Sequence, residues 1–174
     1  MDIDDFSVKK PRGQFLGNEL VTNGDFSNGG SWSTSGWAIS NGAASNTSSG
    51  VGQNLFQSGI LTVGSAYQVS VTAEISSGGV AIMLGGGSGG YNTVGSVTSS
   101  GTFVFCGYSN RTSNTLLLQT LSGSEVGGVS ISDVSVREVH NVGTINGAAI
   151  QADGGTELIT NGTYDTDTTG WTIS

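Results

Sequence analysis

The chain offers few side chains that could carry out covalent or acid–base catalysis. It has one histidine, His140, and one cysteine, Cys106. Cys106 ends an apolar run at residues 102–106, so we expect it to be buried and to act as a small hydrophobe. A serine nucleophile needs a neighbouring base and an orienting acid, and His140 follows the last predicted strand. We therefore expect a protein without enzymatic activity.

Aromatic side chains in or beside predicted loops are better candidates for a binding function. Trp32, Tyr91 and Tyr108 occupy such positions. Amphipathic rings suit surfaces that combine an apolar face with a wet edge, and a sugar ring is such a surface. The three residues are therefore candidates for a sugar-stacking platform. Ordinary packing inside the protein is the alternative, which the sequence leaves open.

Composition and charge exclude several classes of protein. Among 174 residues, 30 are glycine and one is proline, and 5 basic residues stand against 13 acidic ones, a net charge of −8. An acidic chain repels phosphate backbones, so nucleic acid is not an expected partner. One cysteine and one histidine exclude an internal disulfide and a histidine-based zinc cluster. We also expect no membrane partner and no export signal, because no apolar run approaches the roughly 18 residues of a membrane span.

The hydrophobic pattern predicts strands throughout and no long helix. Residues 66–75 alternate apolar and polar side chains, which is typical of a strand with one buried and one solvated face. Short strands separated by Gly, Ser and Asn indicate a sandwich or barrel. Three Asn-Gly pairs, at 23–24, 28–29 and 41–42, predict tight hairpin turns. The other predicted strands cover residues 36–40, 51–56, 80–84, 93–97, 102–106, 115–121 and 129–139.

The last predicted strand changes its pattern at residues 132–133. Val129 and Ile131 share one face, whereas Val134 and Val136 share the other. A β-bulge at this point would return the four side chains to a common face. A strand covered on both sides is an equally weighted alternative, because strands in a sandwich core lose strict alternation.

An internal repeat divides the chain. The sequence ELVTNGDF at residues 19–26 returns as ELITNGTY at 157–164, and Gly36-Trp37 returns as Gly170-Trp171. A repeat at this separation indicates that one unit is about one small domain long. We therefore expect an N-terminal arm at residues 1–18, a domain at 19–139, a linker at 140–156 and the start of a second copy at 157–174.

The repeated opening, the Gly-Trp pair and the closing sequence ISDVSVREV at 131–139 resemble the jelly-roll carbohydrate-binding-module superfamily, in the form found in virion proteins of tailed bacteriophages. The resemblance implies an all-β jelly-roll sandwich. In that superfamily a structural calcium ion commonly joins the opening segment to an aspartate of the closing strand. The matching positions are Glu19 or Asp25 and Asp133, whose carboxylates are ligands that calcium accepts. Ser27 departs from the pattern, since an acidic residue often stands there, and solvated loop carboxylates are the alternative.

The first eighteen residues differ from the domain that follows. Ile3, Phe6 and Val8 are apolar residues spaced along a charged segment, which holds three of the five basic residues of the chain. Such a segment is too short to fold alone, but an extended arm can add a strand to a partner or fill its pockets. We expect these three residues to dock on another protein.

Together these features predict a structural virion protein of a tailed bacteriophage, a fibre or appendage protein anchored by its arm and carrying a carbohydrate-binding-like jelly roll. A capsid decoration protein is the first alternative, and a carbohydrate-binding module of a longer secreted enzyme is the second. The expected partners are other virion proteins, a host surface glycan and further copies of this chain, as a trimer by resemblance to phage fibres. No cofactor is expected apart from the structural calcium ion.

Overall fold

The computed structural model describes residues 15–86, 90–109 and 112–140, which contain eleven β-strands and no helix. Within this part of the chain nothing forms a helix of the length and apolarity that a membrane span requires. The predictions for Ile3, Phe6, Val8, the linker after residue 140 and the second copy at 157–174 lie outside the described residues. The strands are β1 (Phe15–Glu19), β2 (Ser33–Ser35), β3 (Trp37–Ser40), β4 (Ala43–Asn46), β5 (Asn54–Gln57), β6 (Ala66–Ile75), β7 (Val80–Gly85), β8 (Tyr91–Val97), β9 (Gly101–Tyr108), β10 (Thr115–Thr120) and β11 (Val129–His140).

The strands form two antiparallel sheets that pack as a sandwich, so the all-β prediction is confirmed. The first sheet has the order β3-β4-β11-β6-β9, and β1 also pairs with β11. The second sheet has the order β2-β5-β10-β7-β8. Apart from the consecutive pairs β3-β4 and β7-β8, the neighbours in each sheet are not consecutive in sequence, so the chain crosses repeatedly between the two layers. We call the layers the six-stranded and the five-stranded sheet.

Alternation of side chains explains how the six-stranded sheet builds its inner face. Along β6 the inward side chains are Tyr67, Val69, Val71 and Ala73, none more than 2 % exposed, while the residues between them are partly solvated. A strand with apolar residues at every second position can bury that set on one side only. The prediction for residues 66–75 is therefore confirmed, with the same boundaries.

The closing strand β11 contains the bulge that its sequence pattern suggested. Its register against β6 shifts between Ile131 and Asp133. As a result Ile131 and Val134 are both buried in the core, 0 % and 2 % exposed. The bulge interpretation is confirmed, and the alternative of a regular strand covered on both sides is wrong.

Several sequence-based boundaries change. The domain spans Phe15–His140 rather than residues 19–139, because β1 pairs with the last residues of β11. Strands β1, β2 and β4 were not predicted, since they are short and rich in small or polar residues. Of the three Asn-Gly pairs, Asn41-Gly42 forms a hairpin turn, with φ of 53° and 74° between β3 and β4. The other two lie in the long connection between β1 and β2.

Cys106 is exposed, and the expectation that it is buried is wrong. It pairs in register with Gln68 of β6, whose neighbour Tyr67 points into the core. Because successive side chains of a strand face opposite ways, Gln68 and Cys106 both face outward. The inward residues of β9 are Phe103 and Phe105, which pack against the core. The apolar run 102–106 therefore has its cysteine on the solvated side.

Candidate functional site

The outer face of the five-stranded sheet carries a row of apolar side chains. In the three central strands the inward residues include Leu55, Leu84 and Leu116, each 0 % exposed. Their neighbours in sequence therefore face outward. Strand register places three of these outward residues side by side: Phe56 of β5 is opposite Leu117 of β10, and Leu117 is opposite Met83 of β7.

Hydrogen-bonding side chains flank this row. Gln119 lies opposite Asn54, and its amide nitrogen Nε2 donates to Asn54 Oδ1 at 2.9 Å. This pair follows the apolar row by one position along the same face. Hydroxyl groups extend the flank on the neighbouring strands β2 and β8, at Ser33, Ser35, Thr93 and Ser96.

The five strands of this sheet contain no Asp, Glu, Lys, Arg or His. We call the surface formed by their outward side chains the uncharged face. An apolar row edged by amides and hydroxyls can bury a ring with apolar C–H groups and hydrogen-bond the hydroxyls on its rim. It has no means of compensating a charged ligand.

The structure separates the predicted sugar-stacking residues. Tyr91 begins β8, is 42 % exposed and lies on the margin of the uncharged face, with its ring against Gly86. Tyr108 is 59 % exposed but ends β9 in the other sheet. The two strands adjoin at this end, since Asn92 Nδ2 donates to the Tyr108 carbonyl at 2.9 Å. Of the two tyrosines, Tyr91 alone belongs to the uncharged face.

Trp32 is in the core, which corrects its interpretation as a stacking residue. It is 8 % exposed, and its ring centroid lies 5.2 Å from that of Phe26. Its indole Nε1 donates to the Asn23 carbonyl at 2.9 Å. Both the apolar face and the polar end of the indole are therefore used inside the domain, and no open ring face is left for a sugar.

The predicted calcium residues lie at the junction of the opening segment and β11, on the six-stranded sheet. Among the described residues no three His, Cys, Asp or Glu side chains are grouped so as to hold a metal ion. Glu19 does not fit a ligand set, because its oxygens are already used. Oε1 accepts from the backbone nitrogens of Leu20, Val21 and Val136, and Oε2 accepts from Ser135 Oγ and pairs with Arg137.

Asp133 and Asp25 remain compatible with a cation in charge and position. Burial of the carboxyl and the nearby negative charges of Glu19 and Asp25 raise the pKa of Asp133. A calcium ion between Asp25 and Asp133 would relieve this repulsion, and carbonyl oxygens would have to complete its coordination. Calcium binding at these two residues stays a prediction.

Sequence reasoning missed the residues of the uncharged face, although a signal for them was present. Residues 80–84 and 115–118 are almost continuously apolar. When both faces of a strand are apolar, alternation does not show which face points into the core. In a two-layer sandwich the outer face is ordinarily polar. A continuous apolar run therefore indicates that the outward side chains of that strand are apolar and need a binding partner to bury them.

No protein-family model and no curated protein matches this chain. Among solved structures, the CBM22-1 xylan-binding domain of Xyn10C from Paenibacillus barcinonensis aligns with a TM-score of 0.52 and 14% identity, over 72% of this chain and 97% of that one. The second N-terminal cellulose-binding domain of β-1,4-glucanase C from Cellulomonas fimi aligns with a TM-score of 0.49 and 20% identity, over 71% and 95%. The likeness to the CBM22-1 domain shows that this chain shares the β-sandwich fold of that domain.

Proposed function

We propose that residues 15–140 form a non-catalytic module that binds a neutral glycan on the uncharged face. The observation that carries the proposal is the in-register row of Phe56, Leu117 and Met83 beside the hydrogen-bonded amides of Asn54 and Gln119. Sugar-binding sites need an apolar surface for the ring and a few placed polar groups for its hydroxyls. Both are present on one sheet face.

Charge supports a neutral ligand. The five strands carry no ionisable side chain except the phenol of Tyr91, so an anionic glycan would lose hydration without gaining an ion pair. The net charge of −8 on the chain adds long-range repulsion of polyanions. The fold is also in keeping with this proposal, since the CBM22-1 domain that shares it is a xylan-binding domain.

The test is binding of the full chain to immobilised neutral and acidic polysaccharides, compared between two variants. Gln119→Ala removes a hydrogen-bonding group from the uncharged face and should lower affinity about tenfold, the effect of losing one or two hydrogen bonds to ligand. Val104→Ala changes a side chain that is 57 % exposed on the six-stranded sheet and should have no effect. Equal binding by both variants would contradict the proposed face.

We also propose, from the sequence alone, that this module belongs to a tailed-phage particle as a fibre or appendage protein. The support is the arm with Ile3, Phe6 and Val8, the repeat at 157–174 and the sequence resemblance. Trimeric association and the virion location rest on the same features. A capsid decoration protein and a module of a secreted enzyme stay as the alternatives, and the second agrees equally well with the fold.

Deletion of residues 1–14 tests the anchoring role without touching the sheet, because β1 begins at Phe15. The truncated protein should keep its circular dichroism spectrum and melting temperature, while phage particles assembled with it lose the protein. Normal incorporation of the truncated protein would favour decoration through the sandwich itself. Absence of the full chain from purified particles would favour the secreted-enzyme alternative.

A further inference from the structure

The centre of the apolar row is aliphatic. Leu117 lies between Phe56 and Met83 and is 3 % exposed, while its two neighbours are half-buried. Ala81 extends the apolar surface along β7 and is also 3 % exposed. The accessible part of the row is therefore the ring of Phe56 at its β5 end and the thioether side chain of Met83 at its β7 end.

This composition selects among neutral glycans. An aromatic ring attracts the C–H groups of any sugar through its π face, whereas an aliphatic surface gains only by removing apolar area from water. A fully hydroxylated sugar has little such area beyond its ring carbons. A methyl group on the sugar adds apolar area that the partly exposed Met83 can cover, worth roughly a fourfold gain in affinity for one buried methyl group.

We infer that the uncharged face recognises a neutral glycan whose sugars carry methyl groups, either as acetyl esters or as the methyl of 6-deoxy sugars. The inference rests on the proposed function and names the class of ligand for that site. The methyl group packs on the side chain of Met83 on β7, next to the buried Leu117. The amides of Asn54 and Gln119, one position away on the same two strands, hydrogen-bond neighbouring hydroxyls and fix the orientation of the sugar.

The geometry also sets the direction of the chain of sugars. The row crosses the sheet from β5 through β10 to β7, and strands lie about 4.8 Å apart, so the row is about 10 Å long. The flanking hydroxyls of Ser33 on β2 and Thr93 on β8 continue it at both ends. A glycan lying along this line crosses the strands and presents successive sugars to the same row.

The experiment compares matched polysaccharides with the full chain by isothermal titration calorimetry. One pair is acetylated xylan and the same xylan after mild alkaline deacetylation. The other pair is a D-rhamnose polymer and a D-mannose polymer of the same linkage and anomeric configuration, which differ only in carrying a methyl or a hydroxymethyl group at C5. We expect at least fourfold tighter binding of the methyl-bearing member in one pair, and the pair that shows it identifies the source of the methyl group.

A variant links the preference to the row. Met83→Ser should bring the affinity ratio of that pair close to one, whereas Val104→Ser on the other sheet should leave the ratio unchanged; melting curves of both variants verify folding. Equal affinity of the wild-type chain within both pairs would overturn the inference and leave the proposed function standing. If the chain binds none of the four polysaccharides and no other neutral glycan on an array, both the inference and the proposed function are overturned.

Discussion

At the scale of single residues, Glu19 joins the opening segment to the closing strand. Its carboxylate accepts a hydrogen bond from Val136 N at 2.8 Å and pairs with Arg137 Nε at 3.4 Å. Desolvation by burial opposes ionisation, but hydrogen bonds from Ser135, Val136 and Val21 and the charge of Arg137 outweigh it and lower the pKa of Glu19. Its ionised form is therefore part of the folded structure.

Glu19→Gln should lower the free energy of unfolding by about 1 kcal/mol at pH 7, a value reduced by partial exposure of the pair. A carboxyl with a lowered folded-state pKa stabilises the fold at neutral pH, and this contribution is lost as the pH falls through that pKa. Urea unfolding at pH 7 and pH 3 measures both effects. The variant should lose less stability on acidification than the wild type, and Glu74→Gln, on an exposed residue of β6, should behave as wild type.

Ionisation of Asp133 has the opposite effect on stability from ionisation of Glu19. Its pKa is raised by burial and by the charges of Glu19 and Asp25, so its ionised form costs stability at neutral pH and the cost disappears as the pH falls through the raised pKa. In a chelator, Asp133→Asn should therefore stabilise the protein slightly, by about 0.3 kcal/mol for this exposed group.

Calcium would reverse the effect of the same substitution. An ion bound only to the folded state raises the melting temperature, so the wild type should melt higher in calcium than in chelator, while Asp133→Asn should lose that difference. Differential scanning fluorimetry in the two buffers measures it. A wild-type melting temperature that is the same in calcium and in chelator would rule out the calcium site.

At the scale of elements, β8 and β9 interlock through two glycines where the two sheets meet. Val94 of β8 occupies the space above Gly107 of β9, and Phe105 of β9 occupies the space above Gly95 of β8. A side chain at either glycine would overlap its partner. These glycines are needed for close packing between the sheets rather than for a turn.

Gly107→Ala should destabilise the domain by about 2 kcal/mol, because the added methyl overlaps Val94 in a packed interface. Val94→Ala should cost stability alone, but in the double variant it removes the Cγ1 atom that lies nearest to the added methyl group and so relieves part of the overlap. Chemical denaturation of the two single variants and the double variant should show a favourable coupling. Additive losses would contradict the interlock, and Gly29→Ala, with no atom within 4 Å of the added carbon, is the control.

At the scale of the whole molecule, the two outer faces of the sandwich differ in charge. The outward residues of the six-stranded sheet include Glu19, Glu74, Asp133 and Arg137, whereas the five strands of the other sheet have no charged residue. Cys106, the single cysteine of the chain, is exposed on the charged side. The molecule therefore has a natural labelling site on the face that is not proposed to bind glycan.

Coupling a bulky maleimide to Cys106 should leave glycan affinity unchanged, because the label lies on the opposite sheet. The same label on Thr93→Cys in a Cys106→Ser background should block binding, since Thr93 is exposed on the uncharged face. Affinity electrophoresis on the best-bound polysaccharide measures both. Loss of binding on labelling Cys106 would move the site to the six-stranded sheet.

Local pattern alone determined the class of the fold and much of its detail. Alternation set the boundaries of β6, and the change of phase between Ile131 and Val134 located the bulge in β11. These features depend on the chemistry of residues adjacent in the chain, because burying one face of a strand requires apolar side chains at every second position.

Only the tertiary structure decided where the candidate site lies. Phe56, Leu117 and Met83 belong to strands that are far apart in sequence, and only their pairing in register brings them into one row. The same holds for the burial of Trp32 against Phe26 and for the exposure of Cys106. A short apolar run is compatible with either face of a strand, and the choice between faces is made by the layer that packs against it, which no local pattern contains.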